Sequence, residues 1–458
     1  MRILLATHGF PPRQQGGAEQ EACRLARHLA DRRHELQVIC VDRLDRGRGE
    51  LIAHDEQYDG LPVRRLSFNL RGSPSRSVWS SDNPLLTAEV RSHLLYHPTD
   101  LVHLFGGYLM GAGVIRAARE CGTPIVVTLT DYWFICPMAT LRRTDGTLCS
   151  GPVTARCSRC LSEEKRRFRL PRRVAPQWVD DAWAWLLRHR FWLDRTGLRS
   201  RMDFVARRQQ VLREALNSVD AALCASQFLR DVYIGQGAAP EKLIQCRQGR
   251  DLPNRAQPRA PSEVLRLAYM GQISEHKGVH LLVQAMRRVE RGDVRLAIYG
   301  EPSHSPRYTL RLLKLAGSDA RIEFKGAFRP AQLSQVMART DLVVVPSLWY
   351  ENSPNVILEA FGHGVPVLVS NLGGMAEMVR DGVDGLHFEV GDVASLANRI
   401  NWLAADRSRL QALAANIQPV KTGAQEADEV EAIYRQVVKA KESEKQPTGA
   451  AAQALLRT

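Results

Sequence analysis

Nowhere in the 458 residues do eighteen apolar residues run together, so a membrane-spanning helix is not expected and contact with lipid would be peripheral. The opening stretch MRILLATHGFPP carries one Arg and no small-residue cleavage site; it reads as a first strand and not as a secretory leader, and a cytoplasmic location is expected. A G-x-G-x-x-G turn is also missing. HGFPPRQQGG follows the first strand instead, and no acid sits after a second strand to hold a cofactor ribose, which argues against a dinucleotide-dependent dehydrogenase. Apolar residues at 44% and charged residues at 24% are near globular averages, which excludes wholesale disorder and fibrous architecture.

The net charge of +14 has no recognised nucleic-acid motif beside it, and no nucleic-acid partner is expected. The excess is uneven: residues 164–215 hold 14 Lys and Arg against 6 Asp and Glu. Basic excess suits nucleic acid, acidic lipid or phosphorylated substrates, and charge alone does not choose among them. Four of the eight tryptophans, Trp178, Trp183, Trp185 and Trp192, lie in the same segment. Arginines interleaved with aromatics fit the headgroup region of an anionic membrane, or else the aromatics pack back onto their own domain.

Five of the nine cysteines (Cys23, Cys40, Cys121, Cys224, Cys246) are scattered through strand-like and helix-like runs, as in a reducing compartment. The other four, Cys136, Cys149, Cys157 and Cys160, follow C-x(12)-C-x(7)-C-x(2)-C. They offer a set for structural zinc, a disulfide, or free thiols. Four thiolates would close zinc's coordination shell, so a catalytic metal is not expected there.

Short apolar runs alternate with helical patterns from RILLAT through ELQVICV and DLVHLF to PIVVTLTD. Runs of this length between helices are strands buried on both faces, hence a parallel α/β sheet. The rhythm breaks after TDYWFICP, resumes at VDAALCAS and KLIQCRQG, and starts afresh beyond the Pro/Arg-rich RDLPNRAQPRAPSE with RLAYMG, VRLAIYG, IEFKG, DLVVVPS, VPVLVS and GLHFEV. Two doubly wound domains facing a cleft are expected: residues 1–255 with an insertion at about 136–215, and residues 256–420. A helix at 421–440 would pack back on the first domain, and the polar tail 441–458 is expected to be disordered. Ligands in such folds sit at the carboxyl ends of the strands.

One strand end there reads PSLWYENSPNVILEAFGHG. Ser353 suits an N-cap with Pro354 at the first helical position, leaving the amides of Asn355, Val356 and Ile357 free to hold a phosphate. Glu351 and Glu359 flank that end. Acids repel phosphate, so they read as acceptors for hydroxyls on either side of it, although Glu359 alone reads equally well as a surface helix former. GQISEHKG, with Lys277 between glycines, and SNLGGMAE occupy other ends of the same sheet, where an ammonium group and close backbone approach serve a diphosphate.

The series Gly271-x(5)-Lys277-Gly278, Glu351-x(7)-Glu359 and Gly373-Gly374, with PPRQQGGAEQ near the start, resembles the retaining GT-B glycosyltransferases of family 4. The resemblance spans about residues 1–400, apart from the segment near 140–215. It implies two Rossmann-like domains and transfer of a sugar, with retention, from a UDP-, GDP- or ADP-sugar to a glycan or polyprenyl-linked acceptor in bacterial cell-surface polysaccharide assembly. No obligatory cofactor is implied. Lys277 would neutralise the diphosphate, Glu351 hold the donor sugar, Glu359 the ribose, and Gly17, beside Gly16, let backbone approach the donor phosphate.

Two positions depart from that family's pattern. Gln272 stands after Gly271 where an Arg is usual, with Arg250 as a substitute cation, and Thr130 stands where a His usually precedes the Asp. Asp131 would then share in positioning the acceptor hydroxyl, or else only cap a turn; His103, also placed on the acceptor side, reads equally as structural. A GT-B-like nucleotide-sugar epimerase and a basic nucleic-acid- or membrane-binding protein are the alternative readings.

Overall fold

The computed structural model describes residues 1–14, 16–45, 50–73, 76–163, 176–189, 198–252 and 262–445. The first sheet contains β1 (Arg2–Thr7), β2 (Glu35–Arg43), β3 (Leu51–Tyr58), β4 (Leu61–Phe68), β5 (Leu101–Phe105), β6 (Ile125–Leu129), β7 (Ala221–Cys224) and β8 (Leu243–Gln245) in the order β3-β4-β2-β1-β5-β6-β7-β8. The second contains β9 (Leu265–Met270), β10 (Val294–Tyr299), β11 (Ile322–Gly326), β12 (Leu342–Val345), β13 (Val367–Ser370) and β14 (Gly385–Phe388) in the order β11-β10-β9-β12-β13-β14. All pairings of the second sheet are parallel. Helices cover both faces, so Ile3 to Ala6 and Leu342 to Val344 are buried along their whole runs and show no polar alternation.

The edge of the first sheet was not anticipated. β3 and β4 form an antiparallel hairpin, closed by Asp59 and Gly60 with φ of 53° and 77°, the positive pair that a two-residue type I′ turn requires. Strand order reverses beside β1 in one sheet and beside β9 in the other, and such switch points open a crevice at the strand ends.

The chain crosses between domains near residues 247–252 and 419–423. The Arg250 N–H donates to Lys421 O at 2.8 Å, and Lys421 Nζ returns to Arg247 O at 2.8 Å. Beside this crossing, Glu377 of the second domain accepts from the Arg247 guanidinium at 3.3 Å and from the Gln227 and Phe228 N–H groups at 3.0 and 2.8 Å. These are the first amides of the helix Gln227–Gly235, where a carboxylate complements the helix dipole.

The last helix, Gly423–Lys445, returns to the first domain and buries Ala427, Val430 and Tyr434 in the same core as Leu25, Leu29 and Leu101. Residues 441–445, expected in a disordered tail, continue this helix, because its backbone bonding runs on past the apolar face; residues 446–458 lie outside the described residues. Where the helix begins, Arg24 bonds Glu21 and donates to Glu426 at 2.9 Å. Burial, then the neighbouring Glu426, push the Glu21 carboxyl up to about 8 against the pull of Arg24.

Gly278 lets the lysine loop close on the end of β12. Its φ is +69°, and a β-carbon there would overlap the Pro346 carbonyl oxygen.

Two outcomes are expected. The unfolded chain releases the Glu21 proton near the ordinary 4.5 while the folded chain keeps it to about 8, so this group's stabilisation is complete at low pH and is lost as pH rises across that interval. Denaturant titrations from pH 4 to 9 should show a flatter profile for Glu21→Gln than for the wild type. Gly278→Ala should lower unfolding free energy by about 2 kcal/mol or more, from left-handed strain plus overlap, measured by the same titration at pH 7.

Candidate functional site

Between β12 and the helix Asn355–Gly362, the loop folds back so that Glu351 is buried. Its Oε1 accepts from Lys277 Nζ at 2.6 Å, Ser347 Oγ at 2.7 Å and Trp349 Nε1 at 2.7 Å. The three donors load one oxygen and leave Oε2 outside these bonds. The Glu351 carbonyl accepts the Gly374 N–H at 2.9 Å, and a β-carbon on Gly374 would overlap the Asn352 carbonyl, so the paired glycines clamp the acidic loop.

The helix start differs in detail from the expected one. Pro354 occupies the N-cap, with no side-chain capping bond, and Asn355 is the first helical residue. Pro354 is itself extended there, which moves the boundary one residue beyond Ser353. Of the three amides expected to be free, that of Ile357 donates to Pro354 O at 3.0 Å and Ile357 is buried. Asn355 and Val356 remain at the ligand face. They line a cleft of about 720 Å³ together with Gly271, Gln272, Lys277, Glu351 and Glu359 on one side and Gly16, Gly17, Ala18 and Thr130 on the other.

A β-carbon on Gly17 would stand 3.6 Å from Asn355 Nδ2. The helix Gly17–Asp31 also starts here, so two helix N-termini face one another across the cleft, each favouring negative charge.

Other cleft residues escaped the sequence reading. Tyr299 and Phe328 meet edge to face with centroids 5.4 Å apart, and His304 bonds Gln272. Gln248 and Trp349 also line it. Tyr299 ends β10 and Phe328 follows β11, so the same strand-end rule would have found them. His304 had no signal, because only folding brings it to Gln272.

Several expected residues are placed elsewhere. His103 is fully buried in β5, bonds Tyr434 and Thr128 Oγ1, and burial lowers its pKa to about 3; it is a neutral core group joining the last helix to the sheet and not an acceptor-side residue. Asp131 Oδ1 accepts the Trp133 N–H at 2.7 Å, the turn-capping alternative, and it is absent from the cleft lining, which holds Thr130. Burial raises its carboxyl, partly offset by that N–H. Arg250 does not reach Gln272: its guanidinium stands 3.6 Å from Glu359 Oε1.

The thiols of Cys136, Cys149, Cys157 and Cys160 are free. Among the described residues no three His, Cys, Asp or Glu side chains assemble a metal-holding group. Cys149 Sγ faces Gly151 O at 3.2 Å and Cys157 accepts from Gln209, so of zinc, a disulfide or free thiols the described residues show the last. In the helix Pro176–Arg188, Trp178 is 81% exposed and does not pack back on the domain, while Trp185 is 46% exposed and stacks on His189. Trp192 and residues 164–175 lie outside the described residues. Among those described, no helix is long and apolar enough to cross a membrane.

Residues 16–162 match the family described as glycosyl transferase 4-like domain, and residues 265–406 match glycosyl transferases group 1. The D-inositol 3-phosphate glycosyltransferase of Nocardia farcinica is 35% identical over 160 residues, 33% of this chain and 35% of that protein. The lipopolysaccharide 1,2-N-acetylglucosaminetransferase of Salmonella typhimurium is 35% identical over 156 residues, 32% of this chain and 40% of that protein. The match thus spans well under half the length of these relatives. Among solved structures, sucrose-phosphate synthase from Thermosynechococcus elongatus aligns with a TM-score of 0.64 at 17% identity, covering 96% of this chain and 100% of that one. HepE of Anabaena, in complex with UDP, aligns at 0.60 and 18%, covering 97% and 100%; at such identities the likeness is one of fold. The first domain is thus similar to the glycosyl transferase 4-like domain and the second to the glycosyl transferases group 1 domain, and the two are arranged in the GT-B fold.

Proposed function

We propose that this protein is a retaining glycosyltransferase that moves a sugar from a nucleoside-diphosphate sugar to a hydroxyl of a glycan or lipid-linked acceptor in cell-surface polysaccharide assembly. The observation that carries the reading is the set of groups gathered in one cleft: an ammonium and a helix start, two carboxylates and an aromatic pair. A nucleotide-sugar offers a part for each: a diphosphate, the hydroxyls of sugar and ribose, and a base.

In this reading Glu351 Oε2 takes donor-sugar hydroxyls and Glu359 takes the ribose hydroxyls. Tyr299 and Phe328 face the base. Lys277, Gln272, His304 and the Asn355 and Val356 amides meet the diphosphate. As the bond from the anomeric carbon to the diphosphate oxygen breaks, negative charge grows on that oxygen, and these donors stabilise it without reorganising. The acceptor hydroxyl enters from the Thr130 side, bonds to the same face of the sugar, and gives its proton to the departing phosphate. The UDP bound by HepE of Anabaena supports uridine as the first base to try. The exposed Trp178 and Trp185 beside a basic segment support a peripheral site on anionic membrane.

UDP should raise the melting temperature, and Lys277→Ala should weaken UDP binding about tenfold or more. Glu359→Ala should cost UDP affinity while costing 2′,3′-dideoxy-UDP nothing; equal losses would misplace the ribose. Sugar released from UDP-glucose without acceptor as an epimer would favour an epimerase instead. Separately, flotation with phosphatidylglycerol vesicles should fall on replacing Trp178 and Trp185 by Ala, with no change on neutral vesicles.

A further inference from the structure

Arg250 lies on the first crossing between domains. Its backbone is held by Lys421 O, and the preceding Gly249 N–H donates to Glu426 Oε2 at 2.9 Å. Gly249 packs so closely on the second crossing that a β-carbon would overlap Thr422 O. From this junction the Arg250 side chain, only 12% exposed, reaches Glu359 in the cleft at 3.6 Å. Among the described residues its Nε is buried with no partner.

On the junction side stand Arg24, Glu21 and Glu426, whose charges act on Arg250 along with Glu359. Arg24 Nε and Nη1 and Glu21 Oε2 are likewise buried without partners among the described residues. The group is therefore incompletely hydrogen-bonded in this arrangement. A shift of the junction that let in water or new partners would change its energy.

We propose that Arg250 is a positioning residue that orients the Glu359 carboxylate and couples its occupancy by a ligand diol to the angle between the two domains. The coupling rests on the donor-site reading above. At 3.6 Å the pair is an ion pair without a hydrogen bond, so Glu359 keeps its lone pairs for hydroxyls while the guanidinium keeps it aimed. Glu359 belongs to the second domain and Arg250 to the crossing, and rotation about the crossing changes their separation. Whatever geometry the ligand selects at Glu359 is then transmitted to the junction, because each state of the pair favours one closure angle.

The test uses the full chain with UDP as the probe. Isothermal titration should show Arg250→Met weakening UDP about tenfold, with Arg250→Lys recovering part of the loss. In a Glu359→Gln background the Arg250→Met penalty should vanish, since the arginine acts through that carboxylate. Small-angle scattering should show UDP-induced compaction in the wild type and a reduced response in Arg250→Met at saturating UDP. Circular dichroism melts confirm that each variant is folded. If the wild type binds UDP and Arg250→Met retains both its affinity and its compaction, the coupling is overturned while the donor reading stands. If the penalty persists undiminished beside Glu359→Gln, the positioning role is overturned. Failure of the wild type to bind UDP, GDP and ADP alike overturns both.

Discussion

A buried carboxylate needs its lone pairs filled, and Glu351 meets that need by drawing three donors onto one oxygen. The donors come from the lysine loop after β9 and from its own loop after β12, while the glycines after β13 hold its backbone. Three strand ends are thereby tied together around one residue, two through a carboxylate oxygen and the third through its backbone carbonyl. The second oxygen, and the ammonium that pairs with the first, are left at the cleft wall with little freedom to move.

The cleft balances its charges in pairs. Lys277 is matched to Glu351 and Arg250 to Glu359, so neither acid stands as a bare repulsive charge beside an incoming anion. The remaining attraction for an anion comes from the two facing helix starts, which are fixed dipoles requiring no counter-ion. At this meeting point a β-carbon on Gly17 would stand in ordinary contact with Asn355, while one on Gly16 would overlap the Glu19 carboxylate. Glu377 of the second domain also joins the two domains beside the crossing, by capping the helix Gln227–Gly235.

Much of this was legible along the chain because strands buried on both faces announce themselves as unbroken apolar runs. RILLAT became β1, and DLVVV became β12 with its last strand residue at Val345. The loops bearing Lys277, Glu351 and Glu359 follow such strands, so their common edge could be read without coordinates. The β3–β4 hairpin was passed over although Asp59-Gly60 is a turn signal, since its exposed edge strand lacks the apolar run. Ser353 looked like a cap, but the backbone turns into the helix one residue later at Pro354.

The sequence by itself determined which segments are strands and which loops carry chemistry, since both follow from periods of a few residues and from local backbone preference. Tertiary structure decided which distant groups meet. His103 reads as a strand-end candidate until the last helix brings Tyr434 against it, and Arg250 reads as a cation for phosphate until the crossing directs it to Glu359. Both outcomes depend on how the chain returns from the second domain to the first. That path is set by packing of the last helix on the core, and no local period records it.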